Sequence, residues 1–211
     1  TKNPWDYQGL SVYQRFGVNH VDGIDRNPSL LSETSVRYAK AINKHFAFKV
    51  NGSYMQGTDW LSTSTNDQNP QNLSSANPKF PELSGTNNPA ADLWNRYGDE
   101  SNNTVSVSAY YQGKDQTFNV RRTGYMEKDL VSPTVRNIKA DGMVSYRIKD
   151  SLELTYGYRF GLLDGVFQRG NKIQMKNVTV QNHNIKLQGK NFYVRSYLSI
   201  ENTGNSYNLK P

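Results

Sequence analysis

The feature that most limits how this chain can fold is an alternation of apolar and polar residues with a period of two. It is clear in SLELTYGYRFG, residues 151–161, where Leu154, Tyr156 and Phe160 alternate with polar or small residues. Because successive side chains of a β-strand point to opposite faces, this stretch predicts a strand with one apolar and one polar face. The apolar face of such a strand packs on a core in a soluble protein, whereas in an outer-membrane barrel it contacts lipid. The alternation alone leaves both solvents open.

Six further stretches show the same alternation, and no stretch shows convincing helical periodicity. Together with 151–161, we predict strands at about residues 7–19, 33–42, 45–59, 135–148, 177–188 and 191–203. In the stretch at 177–188, Val178 and Val180 are out of phase with Ile185 and Leu187, which predicts a β-bulge. The chain is therefore predicted to be all-β, with about seven strands.

Composition excludes some classes of protein. Of the 211 residues 35% are hydrophobic, and the mean hydropathy is −0.79, which is low for a self-sufficient globular core. The aromatic share of 12% is too high for a disordered chain. No apolar run approaches the roughly 18 to 20 residues of a membrane-spanning helix, but a membrane strand needs only about ten alternating residues. A helical membrane protein is thus excluded, and a membrane β-sheet is not.

No pattern for catalysis, for a cofactor or for a metal ion is recognisable. The absence of cysteine excludes disulfides, thiolate metal sites and a cysteine nucleophile. The three histidines, His20, His45 and His183, lie in different segments without metal-ligand spacing. We predict that the carboxylates of GDE (98–100) and EKD (127–129) are solvated loop residues rather than a glycosidase pair or a calcium site. We expect no enzyme activity, no cofactor and no bound metal.

The net charge of +7 raises the question of a nucleic-acid partner. The lysines and arginines are scattered singly through strands and turns, and they form no basic stripe or stacking platform. A solvated basic surface is the simpler interpretation, so we expect no nucleic-acid binding.

The connections between the predicted strands alternate between short and long. The short ones are 43–45, 149–151 and 188–191, and the long ones are about 20–32, 60–134 and 163–176. Each short connection can close a tight hairpin. Short turns at one end and long loops at the other are typical of an antiparallel up-and-down transmembrane β-barrel, with the short turns periplasmic and the long loops extracellular. A soluble or surface-attached all-β module for ligand binding or adhesion is the alternative, although a sandwich does not require this asymmetry.

Aromatic residues cluster near both ends of the predicted strands. Phe46, Phe48, Tyr146 and Phe192 lie near the short connections, while Trp60, Tyr158 and Phe160 lie near the long ones. Aromatic belts at two membrane interfaces have this arrangement. Aromatic residues also favour strands in general, so the clustering supports a barrel without deciding for it.

Five stretches carry a resemblance to a known family: TKNPW (1–5), RYAKAINKHFAFKVNGSYMQGTDW (37–60), RTGYMEKDLV (122–131), YRIKDSLELTYGYRFG (146–161) and LQGKNFYVRSYLSIENTGNSYN (187–208). In this order, they resemble parts of TonB-dependent outer-membrane transporters, particularly the large Bacteroidetes type. The first resembles the exit from the plug domain into the barrel, and the second resembles the second and third barrel strands with their periplasmic turn. The third looks like an external-loop motif, and the last two are similar to later hairpins.

This resemblance implies that residues 1–211 form one barrel fragment, the first third or so of a barrel of about 22 strands. Residues of about 60–134 are then an external loop. A signal peptide, a TonB box and a plug domain would precede Thr1, and the remaining strands would follow Pro211.

The resemblance also implies active import of a nutrient. In this family external loops capture the ligand, and the TonB complex delivers energy from the inner membrane to the plug. Outer-membrane lipid and the TonB complex are therefore the expected partners, and the resemblance allows a surface lipoprotein lid as well. The ligand stays open among glycans, peptides and siderophore-like compounds.

In such a barrel the polar faces of the strands acquire a role. A cation that faces lipid at mid-membrane costs roughly 2 to 4 kcal/mol, so the charged side chains are predicted to face the lumen. There they contact plug or substrate, and pairing with plug acids and lumen carboxylates is favoured over substrate binding. These residues are Arg15, Arg37, Lys49, Lys139, Arg147, Glu153, Arg159, Arg195 and Glu201. Contact with an external ligand is predicted for the rings of Trp60, Trp94 and Tyr97, which can stack on sugars or peptides.

Overall fold

The regular structure of the chain is almost entirely β-strand. The computed structural model describes residues 3–23, 26–68, 76–98, 104–168 and 172–209. Within these ranges the strands are β1 (Gly9–Asn19), β2 (Ser29–Ala41), β3 (Phe46–Thr58), β4 (Arg96–Tyr97), β5 (Val105–Tyr111), β6 (Lys114–Val120), β7 (Tyr125–Met126), β8 (Thr134–Lys149), β9 (Leu152–Gln168), β10 (Lys172–Gln188), β11 (Tyr193–Asn202) and β12 (Tyr207–Leu209). Helix is limited to a 3-10 turn at Gly85–Asn87 and a single turn, α1, at Glu127–Leu130. The prediction of an all-β chain is confirmed.

Seven long strands form one sheet in the order β1-β2-β3-β8-β9-β10-β11. The order follows the chain, and the pairs β1–β2, β2–β3, β3–β8, β8–β9 and β10–β11 are antiparallel. The short β12 pairs with β10 outside this path. Within the described residues β1 and β11 are the two ends of the order, so the sheet is open there.

The seven strands predicted from the alternation correspond to these seven strands. One prediction about their connections is wrong. A long connection was expected at 163–176, but β9 continues to Gln168 and β10 begins at Lys172. Asp164 interrupts the apolar alternation, yet it stays within the strand because it forms an ion pair of 2.6 Å with Arg136 of β8. The alternation of short and long connections therefore does not extend to this hairpin.

The bulge predicted in the sixth strand does not occur in its pairing with β11. The register between β10 and β11 runs without a shift from Thr179 to Gln188 of β10. Val180 and Ile185 are out of phase because they lie on opposite faces of a regular strand. A register shift occurs instead in β8, next to Arg147.

Contacts divide the chain into two compact units. The sheet unit comprises Thr1–Asp59, Pro133–Phe167 and Gln174–Tyr207, and the loop unit comprises Trp60–Ser132, Gln168–Ile173 and Asn208–Pro211. In the described part of both units, no helix is long and apolar enough to cross a membrane.

The strand registers give the sheet two faces of opposite character. One, the apolar face, carries Val50 of β3, Val144 of β8 and Tyr156 of β9. The other, the polar face, carries the residues that are offset by one position, such as Lys49 and Asp141. The two faces follow directly from the period of two in the sequence.

The apolar face has no core of its own to pack on. Phe16, Val50 and Tyr156 on this face are 69%, 48% and 46% exposed. In the described strands of the sheet unit the buried hydrophobic residues are only Ala39 and Ala47, and both lie on the polar face. The usual arrangement of a soluble sheet, with the apolar side covered and the polar side in water, is therefore reversed.

The segment between β3 and β8 has a small core of its own. Phe80 and Phe118 are buried there, and Tyr111 packs edge-on against both rings at centroid distances of 5.0 and 5.6 Å. β5 and β6 form a hairpin whose turn residues, Gln112 (φ 51°) and Gly113 (φ 85°), both have left-handed backbone conformations. A two-residue type I′ turn requires this of both central residues. The prediction of a loop at about 60–134 did not include these elements.

Candidate functional site

The nine charged residues predicted for the lumen all lie on the polar face. The strand registers place seven of them, including Lys49, on the same side of the sheet. Arg195 and Glu201 lie on one side of β11, and Arg195 lines the same cavity as Lys49. The residues are Arg15, Arg37, Lys49, Lys139, Arg147, Glu153, Arg159, Arg195 and Glu201. Their contact with a plug or a substrate stays a prediction.

Some of these charges are paired across neighbouring strands. Arg15 Nη2 lies 2.9 Å from Glu33 Oε2, and Arg147 Nε lies 3.7 Å from Glu153 Oε2. Pairs at partly exposed positions contribute at most about 1 kcal/mol each, so these two mainly orient their side chains. Within the described residues other cations of this predicted set form no ion pair, among them Lys139, Arg159 and Arg195.

Lys49 is the most deeply buried charge of the polar face, with 3% of its surface exposed. Its ammonium group is close enough to Asp141, Arg37 and Arg159 to interact with their charges. Asp141 also accepts a hydrogen bond of 2.6 Å from Asn51 Nδ2. A buried charge needs a partner of opposite sign, and Asp141 provides it for Lys49.

The segment before β1 lies against the polar face. The guanidinium group of Arg147 is 3.9 Å from the ring centroid of Trp5, a cation–π contact. Arg37 Nη2 donates a hydrogen bond to the backbone carbonyl of Tyr7. Two of the predicted lumen arginines are thus held by residues 3–8, and Arg147 lies beside the short connection between β8 and β9.

The three aromatic residues predicted to contact an external ligand lie in the loop unit and differ in exposure. Trp60 and Trp94 are 49% and 56% exposed. Tyr97 is partly buried, and its hydroxyl donates a hydrogen bond of 3.0 Å to Glu127 Oε2. Trp60 lies near the same group, because the ammonium of Lys172 is 5.4 Å from its ring centroid. The structure therefore places Trp60 and Tyr97 around one ion pair.

That ion pair joins Glu127 to Lys172, and both side chains are almost fully buried. Lys172 Nζ lies 2.5 Å from Glu127 Oε1, which also accepts a 2.7 Å hydrogen bond from the backbone N–H of Ser62. The prediction that Glu127 is a solvated loop carboxylate is wrong. Its local sequence, EKD, is polar, and its partner is distant in the chain, so no short-range signal identifies the pair. Of the other predicted loop carboxylates, Asp99 and Glu100 lie outside the described residues.

The histidines form separate hydrogen bonds. His20 Nε2 is 3.0 Å from the carbonyl oxygen of Thr58, and His45 Nδ1 is 2.9 Å from that of Arg147. His183 Nδ1 is 2.9 Å from the hydroxyl of Tyr156. Over the described ranges, no three histidine or acidic side chains gather as a metal site would require.

Comparisons with known proteins return no match: no family model, no curated protein and no solved structure is significantly similar to the chain. The resemblance to TonB-dependent transporters therefore continues to depend on the five sequence stretches.

Proposed function

We propose that this chain is part of the barrel of a TonB-dependent outer-membrane transporter that imports an external nutrient, such as a glycan, a peptide or a siderophore-like compound. Its seven long strands are then a portion of a larger barrel. The long segment between β3 and β8 faces the outside, and the short connections face the periplasm. Energy reaches the barrel from the TonB complex through a plug domain, and a surface lipoprotein lid is a compatible partner.

The observation that carries the proposal is the reversed burial of the sheet. Apolar side chains such as Val50 and Tyr156 are exposed, while the buried side chains of the sheet include polar ones, namely Lys49, Ser145 and Thr155. An extended apolar surface of this kind requires lipid or a partner to cover it. Lipid matches the pattern best, because most of the large apolar residues of neighbouring long strands, such as Phe48 and Val144, lie on the same side of the sheet.

The open ends of the sheet fit the same proposal. In lipid every backbone N–H and C=O group must be paired within the protein, so a membrane sheet must close on itself. β1 and β11 end the described sheet, and a barrel therefore needs further strands beyond both of them. The proposal of a larger barrel supplies those strands.

The polar face then lines the lumen. Its cations and carboxylates pair with one another, as Arg15 does with Glu33, and with acidic side chains of the plug. The contacts of Trp5 and Tyr7 with Arg147 and Arg37 are those expected where the chain leaves the plug and enters the first strand. Exposed Trp60 and Trp94 are the candidates for stacking on an external ligand.

The first experiment tests whether the protein resides in the outer membrane or in water. The protein that carries this chain is expected in the outer-membrane fraction, to be extracted only with detergent, and to change its mobility on a gel when it is heated. A periplasmic protein released by osmotic shock is the control for the fractionation. Release of the folded protein into buffer without detergent, with no heat-dependent mobility, would instead indicate the soluble ligand-binding or adhesion module.

A further inference from the structure

The polar face contains a cavity of about 140 Å³ between β3, β8, β9, β10 and β11. Five charged residues line it: Lys49, Asp141, Arg159, Lys186 and Arg195. All of them belong to the sheet unit. The cavity thus lies within one compact unit, and its walls are regular strands, which hold side chains more precisely than loops do.

The charges that line this cavity do not balance. Four are cations, and Asp141 is the one carboxylate among the lining residues. Asp141 is already engaged, since it accepts a hydrogen bond from Asn51 and interacts with the buried Lys49. Positive charges held close together in a partly enclosed site create a potential that attracts anions.

Two of the cations face each other directly across neighbouring strands. Lys186 of β10 and Arg195 of β11 are register partners, and like charges in directly opposite positions destabilise a sheet. Their contacts are with neutral groups: Lys186 Nζ donates to Gln188 Oε1 at 2.9 Å, and the guanidinium of Arg195 is 5.8 Å from the Tyr197 ring centroid. An anion bound between them removes the repulsion.

Gly157 leaves room beside these cations. A Cβ atom at this position would lie 2.5 Å from Asn184 Nδ2, so no other residue fits without moving Asn184. Asn184 in turn donates a 3.1 Å hydrogen bond to the Gly157 carbonyl oxygen. Both residues line the cavity together with Lys186.

We propose that this cavity binds the oxyanion group of a small anionic solute, either a phosphate or a carboxylate, through Arg159, Lys186 and Arg195. Arginine binds such oxygens with two parallel hydrogen bonds, and lysine contributes a point charge. The site follows from the charges of the polar face alone. That this site binds an anionic nutrient on its way through the lumen rests on the proposed transport function.

The test measures binding of inorganic phosphate and of citrate to the purified protein by calorimetry at low ionic strength, with chloride as the reference salt. Stronger binding of inorganic phosphate indicates a phosphate site, and stronger binding of citrate indicates a carboxylate site. Lys186→Gln and Arg195→Gln are each expected to weaken binding by about tenfold or more, because each removes a charge-assisted hydrogen bond. Lys186→Arg keeps the charge and is expected to retain binding.

Arg15→Gln is the matched control, since Arg15 lies on the same face but is paired with Glu33 and does not line the cavity. Binding by this variant is expected to stay within about twofold of the original protein. The proposal is overturned if neither anion binds better than chloride, or if Arg15→Gln weakens binding as much as Lys186→Gln does. The binding measurement does not depend on transport. If the protein is soluble without detergent and still binds phosphate, the anion site is supported and the transporter assignment is contradicted.

Discussion

Replacing Glu127 by glutamine is expected to speed amide hydrogen exchange in the loop unit by about two to four orders of magnitude. The substitution keeps the size of the side chain and a carbonyl oxygen for the Ser62 N–H, but it leaves Lys172 buried without its carboxylate. Removing one partner of a buried ion pair costs about 3 to 5 kcal/mol, and each 1.4 kcal/mol is a factor of ten. The backbone N–H of Val131 and that of Trp94 are suitable reporters, because both donate hydrogen bonds within this unit.

Two further variants decide what the exchange rates mean. In Glu127→Gln/Lys172→Met neither charge is left, so most of the lost protection is expected to return. Glu82→Gln is the control for an exposed carboxylate of the same unit, where Glu82 accepts hydrogen bonds from Tyr111 and Gln112, and it is expected to change the rates by less than about threefold. Equal rates in Glu127→Gln and Glu82→Gln would show that the buried pair does not hold the loop unit together.

Replacing Val50 by arginine is expected to make folding into a bilayer less favourable by about 2 to 4 kcal/mol. Val50 lies on the apolar face in the middle of β3, in register with Tyr38 and Gly142. If this face contacts lipid, the guanidinium group is placed near the centre of the hydrocarbon region, where it is poorly solvated. Folding yield against denaturant concentration in lipid vesicles measures the change.

The matched control is Thr58→Arg, on the same face of the same strand but at its end, where the register partner is the neutral Thr134. The cost of a lipid-facing arginine falls to about 0 to 1 kcal/mol near the membrane interface, so this variant is expected to fold almost normally. Val50 is exposed and Thr58 is partly exposed. If both faces of the sheet contact water, the free energy of folding is expected to change by less than about 0.5 kcal/mol in both variants. That result would contradict contact of the apolar face with lipid.

The sequence predicted the long strands because one physical rule determines their pattern. Each strand has one face in each environment, so the period of two continues over the full length of the strand. The same rule predicted which side chains share a face, and Lys49, Arg159 and Arg195 lie together as it requires. The rule failed at Asp164, where a cross-strand ion pair with Arg136 keeps a charged residue within β9. Such a pair depends on a partner that local alternation does not reveal.

The contents of the loop unit were harder to predict, because they depend on contacts between distant residues. The β5–β6 hairpin had a usable signal, since alternating residues flank Gln112-Gly113 and a glycine at the second turn position is typical of a two-residue hairpin. The ion pair of Glu127 and Lys172 had none, because its members come from α1 and from the start of β10. Of the five cavity charges, Lys49, Arg159 and Arg195 were among the predicted lumen residues, whereas Asp141 and Lys186 were not. Lys186 lies in the strand whose phase was least clear.

The most direct test of lipid contact at the apolar face uses single cysteines along β3. The chain has no cysteine, so a spin label at each substituted position reports from a single place in it. For Phe48→Cys, Val50→Cys and Tyr54→Cys in lipid vesicles, we predict strong relaxation by oxygen dissolved in the bilayer and little by a water-soluble nickel chelate. For Asn51→Cys and Ser53→Cys we predict no such access to lipid. Absence of this alternation, or lipid access at 51 and 53 instead of 48, 50 and 54, would contradict the central claim.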